Sequence, residues 1–483
     1  MHEGTRAEAL RKVSRSAPRS VSSAAPTPGI PVHAPLPRDR LSLVGLTAAT
    51  FFIVSGGPFG LEEIVLGQGY GGAAALLLVV PVLWSLPMAL LVGELGSALP
   101  VTGGYYVWVR RGLGPFWGLQ EAWLSLAVGI VNVAIYPTLF ATYLGRFWPG
   151  VGGVERGEPG WWLAMALIAT GTAWNAVGIR AVGRSSAVLS AALLLPFVVL
   201  VALALWSLPA GGLAAARDAL GAPPPEGTSA LATALRGAMW NLMGFDNAST
   251  FAGEVRDPGR SYPLAMAWAT LAIVLAYLLP VLAAATSGLP APAWTPGAWV
   301  LAGERLGGRE LAAAVAAAGA ISATGMFVAT LLSWSRIPVA LAEDGWLPGW
   351  LGRRSRRSHA PVPAVVLGGI ATAACVGIGL RQLVELNVIL YGAGLVLEFV
   401  ALVALRVREP DLPRPFKVPG GLAALILVAA VPTALLVLAA WIGRNEPGPA
   451  GLSAVSLTGL IALAGPVWWM MGWMGNAGDR GAS

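Results

Sequence analysis

Apolar runs long enough to cross a bilayer recur every 25 to 40 residues from Leu41 to Trp473, and few folds can satisfy such a chain. A helical span needs roughly 20 residues to cover about 30 Å of hydrocarbon. Inside that hydrocarbon every backbone N–H and C=O must find a partner within the protein, which leaves helices or closed barrels. Runs of this length select helices. Composition agrees: 56% of the residues are apolar, 11% are charged and the mean hydropathy is +0.69, where a soluble domain carries about a quarter charged residues. The expected class is an all-α polytopic membrane protein.

Hydropathy and helix breakers give twelve spans, at about 42–66, 73–95, 116–145, 161–178, 185–207, 231–252, 263–286, 311–337, 362–380, 384–406, 421–443 and 452–474. Residues 1–40 are rich in Ala, Ser, Pro and Arg, lack the apolar core of a signal peptide, and read as a disordered cytosolic tail. With the N-terminus inside, 23 of the 31 Lys and Arg fall in inner segments; with the tail set aside the balance is still 16 against 8. The excess places both termini in the cytoplasm of a cell-membrane protein, residues 353–359 inside and 150–160 outside. Arg353, Arg354, Arg356 and Arg357 form the densest inner cluster and read as a topology anchor.

The net charge of +7 is scattered through short connections and forms no aromatic-interleaved patch, so no nucleic-acid partner is expected. Cys375 is the sole cysteine and excludes an internal disulfide. The only lysines are Lys12 and Lys417, so there is no phosphate-binding GxxxxGK[ST] loop; His2, His33 and His359 lie outside the spans, which removes HExxH metal sites and histidine relays within the membrane. No motif of an intramembrane hydrolase is present. No enzyme activity, cofactor or metal is expected; transport driven by a gradient remains, with a small-molecule substrate and a coupling ion as partners in the bilayer.

The first span is broken at SGGPFG (residues 55–60) and the sixth at GFDNASTFAGE (244–254). Breaks at matching places in two halves point to an inverted-repeat transporter with its site at the midplane. Pro58 cannot continue the hydrogen-bond ladder and Gly56 and Gly57 free the backbone. Unwound backbone at this depth lines a cavity. A half-helix starting near Phe59 aims its positive end there, which suits a carboxylate. Embedded acids are costly and by default functional. Those here are Glu62, Glu63, Glu94, Glu121, Asp246 and Glu398. Asp246, inside the second break, is the leading candidate. Glu94 reads as a tie to the loop after it, Glu121 as either a loop pairing or a transport residue, and Glu398 as functional or as a lock to a neighbouring span.

Several ordered motifs resemble one family. They are SGGPFG at 55–60, ELGSALPVTGGYYVWVRRGLGPFWGLQEAW at 94–123, AIYPTLF at 134–140, WNLMGFDNASTFAGEVRDPGRSYPLAM at 240–266, ALAEDGWLPGW at 340–350 and LYGAGLVLEFVALVALRVREPDLPRPFKVPGG at 390–421. The chain resembles the amino acid, polyamine and organocation permeases, closest to the branch of polyamine-uptake and L-type amino acid transporters, over about residues 42–420. The resemblance implies a LeuT-like fold: a ten-helix inverted-repeat core (41–420), two peripheral helices (421–475) and a short cytosolic tail (476–483). It implies a substrate site of Ser55, Gly56, Gly57 and Phe59 facing Phe245, Asp246 and Asn247, with Trp240 as the aromatic gate. Asn132 stands where the polyamine branch often has an acid, the fifth span has none of the lysine some proton-coupled members use, and Cys375 alone excludes a disulfide-linked heavy chain.

The expected function is proton-coupled uptake of amino acids by alternating access. The proton falls to Glu121 or Asp246; Glu62, Asn132 and Glu398 are secondary candidates for the site. Polyamine symport is the second reading and a non-transporting sensor on the same fold the third.

Overall fold

Ser42 accepts a hydrogen bond from Gly45 N at 3.2 Å and so starts α1 (Leu43–Val54). This is the first helix of a computed structural model that describes residues 41–100, 103–151, 153–177, 182–225, 227–355, 360–446, 448 and 451–480. The expected tail 1–40, Arg356, Arg357 and residues 481–483 lie outside the described residues.

After the break at 55–61 the chain resumes as α2 (Glu62–Val80), passes through a π-helical turn (Pro81–Ser85) and ends as α3 (Leu86–Ala98). The end of the first expected span and the start of the second are separated by a kink at Gly69, whose φ of 65° and ψ of −179° fit no helix. Gly67, Gln68, Gly69, Gly71 and Gly72 mark that bend in sequence, and it falls inside the gap left between the first two expected spans. An amphipathic α4 (Gly104–Leu113), not expected from the sequence, carries Arg110 and Arg111 in its last turn and precedes α5 (Pro115–Phe147). Then follow α6 (Pro159–Val177), α7 (Val182–Ser207), the short α8 (Gly212–Gly221) and α9 (Thr228–Asn241).

The sixth expected span stops at Asn241 and continues as a 3-10 helix (Phe245–Glu254). Beyond it lie α10 (Pro258–Ala285), α11 (Trp299–Trp334), α12 (Arg336–Glu343), α13 (Val362–Cys375), α14 (Leu380–Arg408), α15 (Gly421–Ile442) and α16 (Ala454–Arg480). The eighth span begins twelve residues before its expected start because the kink at Gly307 and Gly308 reads as a helix end in sequence. The ninth is shorter than expected, ending at Cys375. The last helix runs to Arg480, through most of the expected tail from 476.

Seven helices among the described residues are long and apolar enough to cross a membrane, and α1, α13 and the first part of α16 are apolar but shorter. Extended pairing among the described residues is limited to isolated bridges, one joining Leu41 to Val255. The centre is an all-helical packing in which α5 crosses α11 and also lies on α14, α11 lies on α7, and α9 runs along α2.

Large aromatic side chains fill this centre, and their polar atoms go to backbone carbonyls that the breaks leave open. Trp299 Nε1 donates to Pro58 O at 2.8 Å, Tyr277 OH to Asn241 O at 3.1 Å and Tyr262 OH to Ala248 O at 2.8 Å. Each bond supplies a partner that water cannot supply in hydrocarbon. Exposed apolar side chains such as Leu195, Val198, Leu427 and Trp441 cover the outside, the inverse of a soluble protein's surface.

Candidate functional site

The first break is held from three directions. Gly56 O accepts from Ser322 Oγ on α11, Pro58 O from Trp299, and Gly60 O from Asn241 Nδ2 at 3.1 Å. Gly60 has a φ of 94°, and a Cβ there would sit 2.5 Å from Trp240 Cζ3, so this glycine is required by both backbone and neighbour. Gly60 N donates to Glu62 Oε2 at 2.7 Å. Glu62 also accepts from Gly297 N at 3.1 Å and from Tyr143 OH. The chain's own carboxylate therefore caps the start of α2, the positive end that the sequence reading offers to a ligand.

The second break is held mainly by α14. Gly244 N donates to Tyr391 OH at 3.1 Å, and the same hydroxyl donates to Asp246 Oδ1. Ser85 Oγ donates to Leu242 O at 2.8 Å. Asn241 links the two breaks, because its Nδ2 bonds Gly60 O and Gly237 O at once.

Between the breaks lies a cavity of about 280 Å³. Gly56, Phe59, Trp240, Asp246 and Asn247 line it, and so do Glu121, Asn132 and Glu398. Ser55, Gly57 and Phe245 do not. Ser55 is buried beside the wall, with its Oγ accepting from Gly57 N at 3.3 Å, and Phe245 is fully buried. Glu62 sits behind the wall on the far side of Tyr143, outside the cavity lining. Phe59 packs edge-on against Tyr143 at 4.9 Å and Phe197 at 5.1 Å between centroids. Trp240 Nε1 points to Asn132 Oδ1 at 3.5 Å, a long contact that joins the expected gate to the residue in the acid's place. Arg336, exposed at the start of α12, is the lining residue that carries positive charge.

The electrostatics are one-sided. Glu121 and Glu398 are each 2% exposed, and in each the Oε2 has no hydrogen-bond partner among the described residues. Glu121 Oε1 accepts from Ser125 at 3.0 Å. A Cβ at Gly394 would lie 3.1 Å from that oxygen, so Glu121 rests on the α14 backbone, one turn before Glu398 on the same face. Tyr105 is within electrostatic reach of Glu121, Asp246 and Glu398. Among the described residues no three acidic, His or Cys side chains converge as metal ligands would.

Glu94 is different. It accepts from Arg406 Nε at 2.7 Å and from Val418 N at 2.8 Å, with Arg414 at 3.3 Å, and fastens the end of α3 to the segment after α14. The sequence reading passed over Tyr391, Tyr105, Ser125 and Arg336. Tyr391 had a signal: it precedes Glu398 by seven residues, two helical turns on one face.

Comparison with known proteins identifies the family. A profile of the amino acid permease family matches residues 47–451. The polyamine transporter PUT1 of Oryza sativa subsp. japonica is 36% identical over 432 residues, 88% of this chain and 78% of the relative. The polyamine transporter RMV1 of Arabidopsis thaliana is 34% identical over 400 residues, 82% and 79% of the two chains. With its apolar spans, its paired breaks and the cavity between them, the chain belongs to the amino acid permease family within the amino acid, polyamine and organocation superfamily and is a multi-pass membrane transporter.

Proposed function

We propose that this transporter takes up polyamines, or closely related amines with more than one positive charge, together with protons moving down their gradient. The observation that carries the reading is the charge of the cavity. Three buried carboxylates face it, and its one basic lining residue sits at the exposed end. Such a set is costly until a cation arrives. The α2 terminus, the natural seat for an α-carboxylate, already holds Glu62. These facts reverse the order of the two cargo classes expected from sequence, and the names of the relatives point the same way.

In this reading Asp246, oriented by Tyr391, is the counter-charge for one ammonium, and Phe59, Trp240 and Asn247 with the Gly56 backbone enclose the carbon chain. Ser55, Gly57 and Phe245 shape that site from behind. Glu121 and Glu398 share one proton, since two unpaired like charges this deeply buried are not both stable. Asp246 takes the substrate role of the two expected for it, which leaves the proton to the pair. Amino acid uptake is the second reading, favoured by Gly56 at the cavity wall.

The architecture proposed is the twelve-helix one, with a 5+5 inverted repeat over 41–420, two peripheral helices after it, and both termini in the cytoplasm of a cell membrane. Contacts between elements support it in reciprocal pairs. α1 packs on α10 while its counterpart α9 packs on α2, and α5 packs on α14 while its counterpart α11 packs on α7. Partners five spans apart also meet, as in α5 with α11, α3 with α10 and α6 with α13. Alternating access then follows from motion of one repeat against the other.

The test is uptake into proteoliposomes. An imposed gradient, acid outside, should drive accumulation of radiolabelled spermidine, and excess leucine should not compete. Saturable leucine uptake indifferent to spermidine would overturn the cargo; spermidine accumulation equal with and without the gradient would overturn the coupling.

A further inference from the structure

The two peripheral helices hold the half-helix that bears Trp240. Arg236 lies one turn before Trp240 on α9 and is buried, its side chain 3% exposed. Its Nη2 donates to Glu385 Oε1 on α14 at 2.8 Å and to Glu446 Oε2 in the connection between α15 and α16. Its Nη1 reaches Ala439 O on α15 at 3.5 Å. Arg381 closes the ring from outside, with its Nε 3.0 Å from Glu385 Oε1 and its Nη2 2.8 Å from Glu446 Oε2. Glu63, in the first turn of α2, lies close enough to interact with Arg381, Glu385 and Arg236.

Room for this arrangement is made by one residue. A Cβ at Gly443 would fall 1.5 Å from Arg236 Nη1, so the guanidinium passes directly over the Gly443 backbone. Nothing in the cavity needs this cluster, and the ten-helix core has no use for Glu446. Its effect is to bind α9, the moving part of an inverted-repeat gate, to helices outside the repeat. A buried charge ring of this kind is worth little as general stabilisation, and its best-attested use is to specify one arrangement over another.

We propose that Glu446 is a positioning residue for the Trp240 gate: through Arg236 it latches α9 against α14 and the α15–α16 connection in the closed state, and the latch must part for that side of the cavity to open. When Arg236 parts from them, Glu385 and Glu446 both keep Arg381 as a partner. Arg381, with its side chain 45% exposed, is the member best placed to pair with water during opening.

The proposal rests on α9 moving as a gate and not on the identity of the cargo, so its test omits substrate. In a Cys375→Ser background, Ala323→Cys places a thiol on the cavity wall. Full-length protein in oriented vesicles is treated with an impermeant thiol reagent from one face at a time. Glu446→Gln should raise the labelling rate from the latch face by about fivefold or more, lower it from the opposite face, and be reversed by Glu446→Asp. Gly443→Ala should act in the same direction as Glu446→Gln. No change in Glu446→Gln, or an equal rise from both faces, would overturn the latch, the second outcome marking general loosening. Should Glu446→Gln not be recovered folded, Arg381→Gln carries the same expectation with only the outer clasp removed. Failure of wild-type protein to transport amines would strike the proposed cargo and leave this measurement unaffected.

Discussion

Two sets of buried carboxylates occupy the same protein under opposite conditions. Glu94 is fully buried and meets Arg406 and Arg414; Glu385 and Glu446 meet Arg236 and Arg381. Glu121, Asp246 and Glu398, buried as deeply, meet hydroxyls or nothing. The first set lies at element ends and connections, where it ties one segment to another. The second faces an empty volume. Burial alone therefore does not separate the two sets; the presence of a guanidinium does.

The largest effect should come from breaking a fastening. Glu94→Gln leaves Arg406 and Arg414 buried without a counter-charge and should lower stability by about 3 to 5 kcal/mol, read as thermal unfolding in detergent. Glu121→Gln, which strands no cation, should shift the same transition by less than about 1 kcal/mol or raise it. Equal losses in the two variants would dissolve the distinction. Next is Asp246→Asn, which should weaken diamine binding about ten- to hundredfold, since a hydrogen bond to a charged partner is worth about 1.5 to 3 kcal/mol. Isothermal titration with putrescine reads it, and an unchanged affinity would remove Asp246 from the cargo site.

A smaller gain is expected from Asn132→Asp. It adds an acid beside Trp240 and should tighten spermidine binding by about tenfold or less while leaving any leucine binding unchanged. The smallest effect belongs to a surface pair. Asp344 accepts from Arg110 at 2.9 Å and from Tyr106 OH at 2.7 Å at a partly exposed junction, and Asp344→Asn should cost about 0.2 to 1 kcal/mol. A loss as large as that of Glu94→Gln would show that exposure does not scale these pairs.

Sequence carried the all-helical class and the breaks well because both are local: apolar runs announce helices, and SGGPFG cannot continue one. What it could not carry depends on distant partners. Glu62 read as a secondary site candidate, and only Tyr143 and Gly297, both far along the chain, make it a cap. Arg236 counted merely as one of the outer basic residues, since nothing near it in sequence reveals Glu385 or Glu446. α4 was missed because its ten residues are too short and too mixed to stand out beside spans more than twice as long. Glu121, Asp246 and Glu398 were found because charge in an apolar run needs a reason wherever it points; Tyr391, which orients Asp246, was not, because a tyrosine in such a run needs none.

The ring around Arg236 also reaches outward. α15, to which it is tied through Ala439 and Glu446, presents Leu427, Val437 and Trp441 to the surroundings. A helix in that position tilts with the thickness of the lipid around it. Under the proposed latch, that tilt would pass through one guanidinium to the helix that bears Trp240, making the composition of the bilayer an input to how often the transporter opens.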